Sequence, residues 1–324
     1  MANGRLAMGV DLGATKVLLG LVDERGNVVA RRKRKTQADE GASAVIERVV
    51  ESARDLLKEA GDSKVRAAGV GFAGPVDFKR GVVITAGNMP WHDVPLGKIL
   101  ADRLKLSTVV IDNDTNAGTY GEWRRGAATG RSDFMGVFVG TGIGAGLVLD
   151  GRMYRGQQHT AGEIGHTIIN AGGGLARRSM EDLASRTAMG ITLARRIRTN
   201  HPSSAADLSE SGDLFLRIRS KALSQAYQAG DAEVVAIVQE SARYIGTAIG
   251  NVVTMLSLPL VVLGGGVTEA LGKPFVELVR QHVRTELFPP ELMVDVIAAK
   301  LGDDATMVGA AAMAHEAVEG KGKD

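Results

Sequence analysis

Three glycine-rich turns are the first places in this 324-residue chain where chemistry could reside. Each follows a short apolar run: Asp11-Leu12-Gly13-Ala14-Thr15-Lys16, Gly140-Thr141-Gly142-Ile143-Gly144 and Gly264-Gly265-Gly266. Glycine lets a backbone come close to a phosphate, and successive N–H groups in such turns form an anion-binding concavity. The hydroxyl of Thr15 or Thr141 adds a donor to phosphate oxygens. Asp11 could hold Mg²⁺ directly or through water, because this hard ion keeps much of its hydration shell. No turn has the P-loop spacing or the complete dinucleotide fingerprint. Any one alone reads equally well as a tight hairpin turn; three together, one with Asp-x-Gly-x-Thr, point to phosphates.

A second constellation is Ile111-Asp112-Asn113-Asp114-Thr115-Asn116, where a strand is expected to hand over to a helix beginning near Thr115. Side chains at such strand ends commonly line the clefts of α/β proteins. An aspartate there can act as general base towards a hydroxyl that attacks a phosphoryl group. Alone it would read as a helix cap; the two Asn and the second Asp beside it favour chemistry. Ala161-Gly162-Glu163-Ile164-Gly165-His166 offers a carboxylate and an imidazole among glycines, with Glu181 downstream. Gly74-Pro75 and Gly87-Asn88-Met89-Pro90-Trp91 add two turns, an amide and an aromatic, a mixture suited to a polyol. Trp91 and Trp123 read first as packing residues, although Trp91 is close enough to Asn88 to wall a pocket.

The elements that must position these residues follow from the hydrophobic pattern. Residues 6–11, 16–22 and 28–34 read as three strands joined by turns, and residues 44–60 carry apolar side chains at helical spacing. Residues 65–72 and 108–112 are apolar runs of the buried-strand type. Met8-Gly9-Val10 and Gly13 recur as Met135-Gly136-Val137 and Gly140 at a constant offset of 127, and Asp23 recurs as Asp150. That regularity implies two copies of one hairpin unit. Residues 231–256 form a long helix-like stretch, 260–263 a strand, and 307–317 a helix rich in small side chains. Residues 199–230 read as a polar, irregular surface excursion.

Composition narrows the field. There is no cysteine, which excludes disulfides, a thiolate nucleophile and Cys-ligated metal sites. A net charge of +2 gives no global attraction to nucleic acid or anionic membrane. The one basic run, Arg31-Arg32-Lys33-Arg34-Lys35, falls in an expected hairpin strand and reads as a charged edge. No apolar run reaches the ~18–20 residues of a membrane span, and residues 1–5 show no signal-peptide pattern. The expectation is a cytoplasmic α/β protein of two domains, residues 1–115 with 303–324 and residues 116–302.

Taken in order, these blocks resemble the ROK family, named for repressors, open reading frames and kinases. The resemblance runs from Met8 to about Ala314 and rests on the three glycine turns, Gly71-Phe72-Ala73-Gly74-Pro75, Asn113-Asp114-Thr115-Asn116-Ala117, residues 161–166 and residues 263–267. It implies an actin-like, hexokinase-type pair of ribonuclease-H-like domains with a cleft between them. It also implies that Asp114 is the base that activates a sugar hydroxyl, with Gly74, Asn88, Asn113, Glu163, His166 and Glu181 at the sugar. Asp11, Gly13, Thr15, Lys16, Gly140, Thr141 and Gly142 would face the phosphates of Mg²⁺-ATP, and Gly264, Gly265 and Gly266 the adenosine side. Many members carry a zinc loop built from the His of Glu-x-Gly-His and three cysteines; here residues 166–181 contain none, so no structural zinc is expected. Glycines 172–174 and apolar anchors at Ile168, Ile169, Leu175 and Met180 are the expected replacement.

The resulting expectation is an ATP-dependent hexose kinase, a homodimer or homotetramer, that phosphorylates glucose at its 6-hydroxyl. N-acetylmannosamine, N-acetylglucosamine and fructose are alternative substrates. The rival of another class is a non-catalytic sugar-sensing regulator. Family regulators carry a helix-turn-helix region ahead of the kinase-like part, and a first strand starting by Leu6 leaves no room for one.

Overall fold

The structure, a computed structural model, describes residues 5–61, 65–86, 89–174, 177–206 and 218–320. The chain begins with an antiparallel meander of β1 (Leu6–Leu12), β2 (Lys16–Asp23) and β3 (Val28–Lys35). Helix α1 (Ala42–Glu59) follows and buries Val45, Ile46, Val49, Val50, Ala53 and Leu56, the stripe that a 3.6-residue period dictates. Strand β4 (Ala67–Phe72) pairs parallel with β1. A small antiparallel sheet of β5 (Val76–Asp77), β6 (Val82–Ala86) and β7 (Met89–Val94) leads through α2 (Leu96–Leu104) to β8 (Thr108–Asn113), parallel to β4. Helix α3 (Asp114–Arg125) starts directly from the end of β8.

The chain continues with β9 (Phe134–Val139), β10 (Ile143–Leu149), β11 (Arg152–Tyr154), α4 (Met180–Ala184), α5 (Arg186–Arg198) and α6 (Ser220–Gln228). Then come α7 (Ala232–Leu256), β12 (Leu260–Gly264), α8 (Gly266–Leu271), α9 (Lys273–Thr285), β13 (Asp295–Ala298) and α10 (Ala305–Val318). The first large sheet has the order β3-β2-β1-β4-β8 and the second β11-β10-β9-β12-β13. The repeat seen in the sequence as a hairpin is therefore a repeat of a whole five-stranded sheet.

Two compact units result: Met1–Ser132 with Gly146–Gly162 and Asp303–Asp324, and Asp133–Ala145 with Glu163–Gly302. The sequence reading divides the chain after residue 115, whereas the first unit keeps α3 and Gly146–Gly162. The physical reason is the seat of α10. A Cβ on Gly309 would stand 1.8 Å from the carbonyl oxygen of Ala117 in α3, and one on Gly69 would stand 1.8 Å from that of Ala310. Only glycine allows backbones so close. Helix α10 therefore lies directly on β4 and on α3, and Val308, Gly309, Ala310 and Ala311 are all buried. Alternation along β1 and β4 sends Met8, Val10, Ala68 and Val70 into the core shared with α1 and Phe72.

One expectation needs correction here. The stretch 199–230 is not wholly irregular, since α6 forms within it; Ala222, Leu223 and Ala226 are buried, and the Ser224 hydroxyl donates to the Ala270 carbonyl at 2.6 Å. Residues 207–217 of that stretch lie outside the described residues. Trp91 is a packing residue, as its first reading has it: it is fully buried against Phe72, with ring centroids 5.1 Å apart. The basic run lies on β3, the edge strand, where Arg31 pairs with Asp304, Arg32 with Glu59, and Arg34 with Glu51 and Asp55. Among the described residues, no helix is long and apolar enough to cross a membrane.

Candidate active site

In the first unit the strand end of β1 and the hairpin turn after it carry Asp11, Gly13, Thr15 and Lys16. The Gly13 N–H donates to the Lys16 carbonyl at 3.0 Å, closing the turn. Thr36 pins it from outside: its hydroxyl donates to Gly13 O at 2.6 Å and its N–H to Thr15 O at 3.0 Å. Lys16 Nζ lies 3.3 Å from Asp303 at the approach to α10. Burial pushes the Asp11 carboxyl up to about 6, Lys16 pulls it back, Asp303 raises it again and Lys33 lowers it. A desolvated carboxylate of this kind gains from a cation. Among the described residues no three His, Asp or Glu side chains converge to hold a metal. A single carboxylate fits Mg²⁺, which takes its remaining ligands from water and phosphate.

The handover from β8 to α3 builds the next part. Asn113 is the N-cap, its Oδ1 accepting from Thr115 N at 2.9 Å and Asn116 N at 3.2 Å, while its Nδ2 donates to Gly74 O at 3.3 Å. Asp114 is the first residue of α3, one position earlier than the sequence suggested, and its Oδ1 accepts from Thr115 N at 2.9 Å. The Thr306 hydroxyl of α10 donates to Asp114 O at 3.2 Å. The cap and the base candidate are thus adjacent residues: Asn113 accepts from two N–H groups of the first turn, and Asp114, which shares the Thr115 N–H, brings the charge. Asp112, buried just before them, accepts from Asn113 N at 2.8 Å and Asn116 Nδ2 at 2.9 Å. Asn88 lies outside the described residues.

The second unit holds the other two glycine turns. The Gly140 N–H donates to Gly142 O at 2.8 Å, and the first turn of α5 grips the same segment. Arg186 N donates to Gly140 O at 2.9 Å, and the Thr187 hydroxyl to Thr141 O at 2.8 Å. Arg186 Nη2 donates to Thr141 Oγ1 at 2.5 Å, and its Nη1 to Ser220 Oγ at 3.2 Å. Glu181 is brought to the same turn, its Oε2 accepting from Ile143 N at 2.7 Å. Gly264 ends β12, and Gly265, with φ +88°, makes the sharp entry into α8; a Cβ there would meet Val139 N at 2.6 Å. Gly266 is the first residue of that helix.

Glu163 precedes and His166 ends a single 3₁₀ turn, with His166 Nε2 3.9 Å from Glu163 Oε2 and side chains 70% and 40% exposed, respectively for His and Glu. The segment after them closes as a hairpin. Ile168 and Ser179 form an antiparallel bridge, Ile169 N and Asn170 N both donate to Arg178 O, and Ser179 with Asp182 makes a capping box on α4. Of the expected anchors, Met180 is fully buried, but Ile168 is 54% exposed, because the bridge turns it outward. Leu175 lies outside the described residues. Sequence reasoning missed Arg186; the available signal was a cation in the first turn of a helix, where the macrodipole disfavours it.

The chain belongs to the ROK family, whose model matches residues 7–317. A glucokinase of Thermotoga maritima is 30% identical over 319 residues, covering 97% of this chain and 98% of that protein. Among solved structures, a ROK family glucokinase from Streptomyces griseus in complex with glucose and AMPPNP superposes with a TM-score of 0.85 at 30% identity, covering 96% of this chain and 99% of that one. A ROK hexokinase from Thermus thermophilus gives a TM-score of 0.78 at 31% identity, covering 97% and 99%. The fold is the two-domain, actin-like α/β fold of these enzymes.

Proposed function

We propose that the protein is an ATP-dependent hexose kinase that transfers the γ-phosphoryl group to a sugar hydroxyl, glucose and its 6-hydroxyl being the first choice. The observation that carries the reading is the Asn113 cap. It meets the N–H groups of both Thr115 and Asn116, and the Asp114 carboxylate follows directly at the strand-to-helix handover as the first side chain of α3. The likeness to the Streptomyces griseus enzyme, which binds glucose and AMPPNP, supports the same chemistry.

Asp114 accepts the proton of the attacking hydroxyl as the new O–P bond forms and the bond from the γ-phosphorus to the β–γ bridging oxygen breaks, the oxygen leaving with ADP. Asn113, Glu163 and His166 bind sugar hydroxyls, as do Asn88 and the Gly74 segment; Glu181 joins them through Oε1 while Oε2 holds Ile143 N. The backbone N–H groups of the Gly13, Gly140–Gly142 and Gly264–Gly266 turns hold the nucleotide. Asp11 holds Mg²⁺, which when bound neutralises phosphate charge. The partner is a free sugar, not nucleic acid or membrane, and the enzyme works in the cytoplasm as a homodimer or homotetramer.

Sugar phosphate formation measured across a panel of glucose, N-acetylmannosamine, N-acetylglucosamine and fructose, with ATP or polyphosphate as donor and ADP release followed in the ATP arm, tests the reading. Turnover should be greatest with glucose and ATP. Sugar binding with no sugar-dependent ADP would instead favour the non-catalytic sensor.

A further inference from the structure

Arg186 is a half-buried guanidinium that no carboxylate pairs with among the described residues. Burial alone pulls its pKa below the usual arginine value, and no neighbouring carboxylate offsets the shift. A desolvated cation without a counter-ion is costly unless an anion arrives to pair with it. Its position, the first residue of α5, adds the unfavourable helix dipole, so helix stability does not account for it.

What the side chain touches indicates which anion. An arginine only donates, so Thr141 Oγ1 and Ser220 Oγ both act as acceptors towards it. Each hydroxyl therefore has its own proton left to donate elsewhere. Thr141 belongs to the second glycine turn, and Ser220 Oγ lies 3.4 Å from where a Cβ on Gly266 would stand, beside the third. One guanidinium thus orients two hydroxyl donors at two glycine turns and keeps further N–H groups of its own. Backbone amides, hydroxyls and a fork-shaped cation together form a polyphosphate-binding set.

We propose that Arg186 is a donor-binding residue that pairs with the phosphate chain of the nucleotide and aims the Thr141 and Ser220 hydroxyls at it. The proposal rests on the reading of Gly140–Gly142 as a phosphate turn. Its ligand class is a polyphosphate anion, contacted through phosphate oxygens and not through the nucleobase.

The test compares wild type, R186K and R186Q. Calorimetry measures binding of inorganic tripolyphosphate and of adenosine, and steady-state kinetics give KM for ATP and for glucose. Loss of a charge-assisted contact should weaken tripolyphosphate binding and raise KM for ATP by ~10- to 100-fold in R186Q. Adenosine affinity, KM for glucose and melting temperature should stay near wild type, and R186K should recover part of the loss because it keeps the charge. Unchanged tripolyphosphate affinity in R186Q would overturn the proposal. So would equal weakening of tripolyphosphate and adenosine, which a merely structural arginine would produce. If the wild type phosphorylates no sugar yet R186Q still loses tripolyphosphate, the kinase reading falls and the anion site stands.

Discussion

Arg155 Nε lies 2.7 Å from Asp112 Oδ2, and the two side chains are only 16% and 3% exposed. The guanidinium also stacks 4.3 Å from the Phe78 ring centroid. Asp112 therefore receives Arg155 on one oxygen and Asn113 N with Asn116 Nδ2 on the other. It ties β8, the start of α3 and the segment after β11 to one carboxylate inside the first unit. Arg155→Met would leave that carboxylate buried and short of its cation, a change that costs about 3–5 kcal/mol. Urea unfolding should show the midpoint falling accordingly, with part of the loss recovered in the double variant carrying Asp112→Leu. A single variant as stable as wild type would refute the coupling.

Asp114→Asn should lower kcat by ~10²–10⁴-fold, the range for a positioned general base. The amide keeps the shape of the site, and the helix keeps its Asn113 cap, so glucose affinity by calorimetry should stay within a few-fold of wild type. Near-normal kcat would place the proton acceptor elsewhere.

The hairpin of residues 168–179 is held by backbone hydrogen bonds and by the Ser179 capping box. Structural zinc sites need four protein ligands, usually Cys and His, and the chain has no Cys. Turnover and melting temperature should therefore survive a strong zinc chelator once Mg²⁺ is restored for the assay. Stoichiometric zinc by elemental analysis, lost together with folding on chelation, would contradict this.

Asp231 caps α7, its Oδ1 accepting from Glu233 N and Val234 N at 3.1 Å each, and its Oδ2 from Ser203 Oγ and from Ser204 N and Oγ. Burial alone would raise its pKa, but these hydrogen bonds outweigh it and hold the carboxyl below its ordinary value. A depressed native pKa means that the unfolded chain binds the proton more readily, so the stabilisation is complete above the ordinary carboxylate pKa. It is lost as pH falls through the lowered one. Asp231→Ala should cost about 1–2 kcal/mol at pH 7. The gap between variant and wild type, followed by urea unfolding from pH 7 to pH 3, should narrow below about pH 4. A gap independent of pH would show that the charge contributes nothing.

The sequence made β1, β2, β4, β8 and β12 legible as short apolar runs, and the constant offset from Met8 to Met135 exposed β9 and β10 through the repeat, whereas β11 and β13 are too short to leave such a run. The Asn113–Asp114 step was legible because a cap and a charge stand side by side where periodicity changes. Arg155 and Arg186 were not. Their partners, Asp112 and Thr141, lie more than forty residues away, and no local pattern encodes a pairing across that distance. The outward Ile168 was misjudged for a related reason: its burial depends on which strand it bridges, not on its own apolarity. Helix α6 was hidden by the polar stretch before it.

The seating of α10 on β4 and α3 sets an order of events during synthesis. Strands β1, β4 and β8 leave the ribosome early, but the glycine-lined face that receives α10 stays uncovered until residues 305–318 follow. The second unit needs nothing beyond Gly302. Translation adds only ~5–20 residues per second, so the nascent chain completes its second unit while the first still waits with an open flank. The half that is made first is finished last.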